Sequence, residues 1–181
     1  MSQSLDMLRT KEGQSNAVFA CFGSAAQHAQ LFEDELKRFL VFLNGFTQAD
    51  LALEDLEAIE ATTQKKTMGT LLRLVRQKVR FLEPAVEEKL QHALESRNFL
   101  IHHFFLERDK KFENKAGRFA MLKELVGIEC ELETVTGWIA GLRVAIEETL
   151  SGKGRAKARR EDVIFSAMLD INARTRKKSQ E

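Results

Sequence analysis

Residues 18–46, VFACFGSAAQHAQLFEDELKRFLVFLNGF, decide the fold. The apolar positions Val18, Phe22, Ala25, Ala29, Phe32, Leu36, Phe39, Leu43 and Phe46 recur at alternating spacings of 4 and 3. Asp34, Glu35, Lys37 and Arg38 fall off that row. Only a helix puts such positions on one face, so the spacing predicts a long amphipathic helix packed along its length against another. Met121, Leu125, Ile128, Leu132, Val135, Ile139, Leu142 and Ile146 repeat the pattern. Two seams of this length predict a nearly antiparallel pair at the shallow crossing angle of a bundle.

Shorter elements lie between the seams. Thr47 to Asp50 reads as a turn and N-cap before a helix over 51–60, and the polar stretch 61–67 as a loop. Leu71, Leu72, Val75, Val79 and Leu82 make a helical stripe, with Arg73, Arg76 and Arg80 on a different face. Pro84 suits the first turn of the next helix, which is expected to run to about Arg108. The charged stretch 109–116 reads as the turn that follows. One proline and no tyrosine in 181 residues leave little turn chemistry for a sandwich or barrel. The expected fold is therefore an all-α antiparallel bundle of five to six helices over residues 1–150. Residues 151–181 are expected to form a basic linker and a short C-terminal helix or tail.

The net charge of +1 is the average of unlike parts. Residues 151–181 hold nine basic and four acidic side chains, and residues 65–82 hold six basic and no acidic ones. Basic segments of this kind attract phosphate backbones, and they also serve as solvated faces. No apolar run approaches the ~18 residues of a membrane span, and the N-terminus has no signal-peptide core, so a cytoplasmic protein without membrane contact is expected. Cys21 and Cys130 are too few and too far apart for a disulfide framework or a cysteine zinc site.

The chemistry is concentrated in ESRNFLIHHFF, residues 95–105. Asn98 and His102 are four apart on one helix face, and His92, Glu95, Phe99 and His102 follow one stripe, with Leu100, Ile101, Phe104 and Phe105 anchoring the helix in the core. Histidine moves a proton near neutral pH, arginine holds phosphate oxygens, and asparagine orients either. Such a set suits cleavage of a ribose phosphodiester by its own 2′-hydroxyl, which needs no metal. His92, Glu95, His102 and His103 are metal-donor types. They lack the Glu-x-x-His pairs of di-iron bundles and the His-Glu-x-x-His of zincins, so neither metal nor cofactor is expected. The alternative is a structural polar cluster at a helix–helix contact, with Arg97 paired to an acid of the 124–133 region.

Arg97-Asn98-x-x-x-His102 resembles the Arg-x(4–6)-His motif of HEPN domains, in the form with Asn after Arg; His103 also satisfies the spacing. The similarity extends over about residues 60–125. The resemblance implies a helical bundle acting as a metal-independent endoribonuclease of toxin–antitoxin or defence systems. It implies Arg97 as phosphate binder, Asn98 as orienting group and His102 (or alternatively His103) as acid/base, on RNA as substrate. It also implies a homodimer and a partner antitoxin or regulatory protein. Arg73, Arg76 and Arg80 are the candidate RNA-binding residues. The competing expectation is a non-catalytic helical dimerisation or interaction protein with a structural Arg-Asn-His cluster.

Overall fold

The computed structural model describes residues 8–47, 53–79 and 84–152. Six helices occupy them: α1 Lys11–Thr47, α2 Leu53–Gln64, α3 Met68–Lys78, α4 Pro84–His102, α5 Phe104–Phe112 and α6 Lys115–Gly152. There is no strand among the described residues, and the protein is an all-α helical bundle. The described members of both apolar rows face the core, and the side chain of Phe46 lies outside the described residues. Every member of the α6 row, from Met121 to Ile146, is buried. So are Val18, Ala25, Ala29, Phe32, Leu36, Phe39 and Leu43 of α1, whereas Phe22 is only half-buried. Each large apolar side chain taken out of water this way stabilises the fold by about 1.5–3 kcal/mol before entropy is counted.

The chain divides into two compact units. The first contains the described residues up to Phe32 together with Lys89–Val135. In it, α5 runs antiparallel to α1: Phe22 meets Phe104 and Phe105, while Phe19, nearly a turn earlier, meets Phe105 and Phe112. A turn of only Glu113 and Asn114 then reverses the chain into α6. Asn114 caps α6, its side-chain oxygen accepting from Gly117 N at 2.8 Å. The second reversal corrects the expected orientation of the two long helices. In this unit they run parallel, because Gln14 bonds Arg118 and Ser24 bonds Glu129, an almost constant offset along both chains. Antiparallel packing belongs instead to α4 and α5 against α6, where Ser96 meets Glu131 and Arg108 meets Glu124.

Other boundaries are corrected as well. The helix from Pro84 does not reach Arg108; it stops at His102, and α5 continues to Phe112 through the first half of the stretch expected as a turn. Charged residues on the solvent side of a helix look like a loop in sequence. Ile101, expected in the core, is 39% exposed, and Phe105 is half-buried, whereas Leu100 and Phe104 are buried.

The second unit contains Glu33–Glu88 and the described residues from Thr136 onward. Leu71, Leu72, Val75 and Val79 are buried here, as the stripe predicts. The loop expected over 61–67 is mostly helix, since α2 extends to Gln64 with Thr63 buried and its hydroxyl bonded to Ile59 O at 2.7 Å. Thr67, extended at φ −71° and ψ 154°, caps α3. Arg143 Nε binds Glu35 Oε1 at 2.9 Å. Of the turn expected over Thr47 to Asp50, Thr47 is still the last residue of α1, and the rest, like Leu82 and the expected C-terminal tail beyond 152, lies outside the described residues.

Candidate active site

Leu90, Ala93, Leu94 and Leu100 bury one side of α4 and so fix which residues face outward. The stripe His92, Glu95, Phe99, His102 is then divided among different partners. His92 Nδ1 contacts Glu131 Oε1, and Ser96 Oγ donates to Glu131 Oε2 at 2.8 Å. Glu95 accepts from Gln91 Nε2 at 2.7 Å. Phe99 lies beneath the Arg108 guanidinium, 4.9 Å from its ring centre. Arg97 and Asn98 are half-buried and bonded to each other, Nη1 donating to Oδ1 at 3.1 Å. His102 follows Asn98 by one turn and is exposed at the end of α4.

His103 is where the helix breaks. Its backbone sits at φ −128° and ψ −19°, and its side chain caps nothing. The hydrogen bonds His103 N to Phe99 O and Glu107 N to His103 O, each 2.9 Å, carry the chain across. His103 is exposed like His102, and the two rings lie 6.2 Å apart at 70°. An imidazole open to solvent, like that of His102 one turn after the arginine–asparagine pair or that of His103 at the helix break, can give and take protons.

Arg73 and Arg76 belong to the second unit. Arg73 is exposed, and Arg76 Nε pairs with Glu87 Oε1 at 3.1 Å. Arg80 lies outside the described residues. Among the described residues, no group of three or more His, Cys, Asp or Glu side chains is placed to hold a metal ion. No helix among them is long and apolar enough to cross a membrane. Cys21 sits beside Glu129, and burial, then that carboxylate's charge, pushes its thiol up, which disfavours the thiolate a nucleophile requires.

Arg108 had no sequence signal. It holds Glu124 with two bonds, Nε to Oε2 at 3.0 Å and Nη2 to Oε1 at 2.7 Å, while lying over Phe99. The hydrogen bond from Arg108 holds the Glu124 carboxyl below its ordinary value of 4.5; burial opposes it, and the charges of Arg108 and then Lys111 add to it. Glu124 therefore stabilises the fold fully above its unfolded value, and the contribution is lost as pH falls through its lower folded value. Thermal melts of wild type and Glu124→Gln are expected to differ most near neutral pH and to converge in acid. A gap that stays constant down to pH 3 would contradict the pairing.

Comparison with protein-family models, with curated proteins and with solved structures finds no match to this chain.

Proposed function

We propose that the protein is a HEPN-like, metal-independent endoribonuclease that cuts single-stranded RNA as a homodimer, the toxic or effector half of a defence or toxin–antitoxin pair. The observation that carries this reading is the Arg97–Asn98 pair one turn before two exposed histidines. Arg97 holds the non-bridging phosphate oxygens. His102 takes the proton from the ribose 2′-hydroxyl, whose oxygen attacks phosphorus. The 5′-oxygen leaves with a proton from His103 or from the second motif of the dimer. The products are a 2′,3′-cyclic phosphate and a 5′-hydroxyl, and no metal takes part.

Purified protein is expected to cut single-stranded RNA in EDTA with those two end groups, and His102→Ala is expected to stop it. Cleavage that survives the substitution, or that requires a divalent cation, would sink the assignment.

A second reading is a non-catalytic interaction module. Leu106, 78% exposed, and Ile101 lie within four residues of His102 and offer an apolar contact. In that reading the histidines would hold a partner helix, so His102→Ala would weaken association in solution. Their exposure speaks against the stricter version in which they hold the fold itself.

A further inference from the structure

We propose that Arg108 is the positioning residue of this site, setting the angle of the α4–α5 joint and so the placement of His102 and His103. The inference rests on the endoribonuclease reading for its functional consequence, and on geometry alone for the placement. The joint is irregular: His103 has non-helical backbone angles and no side-chain cap, and its own N and O bond Phe99 O on one side and Glu107 N on the other. Phe105 and Phe112 hold the body of α5 against Phe19 and Phe22 of α1, and two further contacts tie α5 back to the last turn of α4. One is Phe104, buried and edge-on to Phe99 at 5.9 Å between ring centres. The other is Arg108, which spans the joint from the α5 side.

The guanidinium lies over Phe99, whose carbonyl accepts the last α4 hydrogen bond from His103 N. Its fork closes on Glu124 of α6 with bonds of 3.0 and 2.7 Å. One planar cation thus ties the last turn of α4, the first turns of α5 and the neighbouring helix together. Lysine keeps the charge but cannot grip both carboxylate oxygens while stacking flat on a ring. If the fork is lost, α5 stays packed on α1 but the joint at His103 is released from α6 and from Phe99, and the two imidazoles shift relative to Arg97 and Asn98. Displacements of about 1 Å at a catalytic group cost up to ~100-fold in rate.

The test compares Arg108→Lys with Arg143→Lys, the same substitution in an arginine–glutamate pair of the other unit. The chain has four histidines, and their ring Cε1–H signals are assigned with His102→Gln and His103→Gln. Arg108→Lys is expected to shift or broaden the His102 and His103 signals in the free protein, and Arg143→Lys to leave them in place at a similar melting temperature. In RNA cleavage, Arg108→Lys is expected to lower kcat at least about tenfold with little change in KM. If Arg108→Lys only lowers the melting temperature and both histidine signals stay where wild type has them, the proposal is overturned. If the signals move but wild type cuts no RNA, the positioning stands and the endoribonuclease reading fails.

Discussion

Gln14→Leu is expected to destabilise the protein by about 2–4 kcal/mol, seen as a melting temperature lower by roughly 10 °C. The reason is a buried cation held by neutral oxygens. Arg118 is 4% exposed, and its Nε and Nη2 both donate to Gln14 Oε1, at 3.0 and 2.8 Å. Its Nη1 donates to Phe112 O at 2.9 Å. Leucine fills similar space but offers no acceptor, so two charged N–H groups would be left in a nearly dry site. Gln14 Nε2 also donates to Leu8 O at 2.8 Å, so the same change loosens the entry to α1. Gln14→Glu keeps an acceptor and adds the opposite charge, and is expected to melt close to wild type at neutral pH. Equal melting of the leucine variant and wild type, by calorimetry, would show that Arg118 does not depend on this contact.

That contact also marks where sequence reasoning stops. The apolar rows were legible because a 4-and-3 spacing is a local consequence of helix geometry, and the buried residues of α1 and α6 follow it closely. Direction is not encoded in such a row: the same spacing serves parallel and antiparallel partners. It took the pairs Gln14–Arg118 and Ser24–Glu129, each more than a hundred residues apart, to set it. For the candidate site, placing Arg97, Asn98 and His102 on one helix needed only the spacing. The break at His103 had no glycine or proline to announce it. It lies next to contacts made across helices, by buried Phe104 and by Arg108 on Glu124 and Phe99, that no local pattern shows. The sequence pattern therefore proposed the residues, while their exposure depends on contacts made across helices.

Gly117→Ala is expected to cost about 3 kcal/mol or more, the upper part of the range for forcing atoms into packed space. A Cβ built on Gly117 would lie 2.0 Å from Lys111 O and 2.6 Å from Lys111 C, both backbone atoms that no change of side-chain rotamer can move. The requirement is close approach between the end of α5 and the first turn of α6. The turn leaves no slack. Lys111 O already accepts the Glu113 and Asn114 amides, and Gly117 N already donates to Asn114 Oδ1. Pushing Lys111 away would break both ends of the reversal and carry Phe112 O from Arg118. Gly137→Ala should instead gain stability, since a Cβ there meets nothing within 4 Å and helix propensity alone favours alanine by up to ~1 kcal/mol. Denaturant melts of the two variants are the check. A Gly117→Ala protein as stable as Gly137→Ala would mean that α5 and α6 meet less closely than the turn requires. The expected outcome is opposite signs, with alanine stabilising at 137 and destabilising at 117.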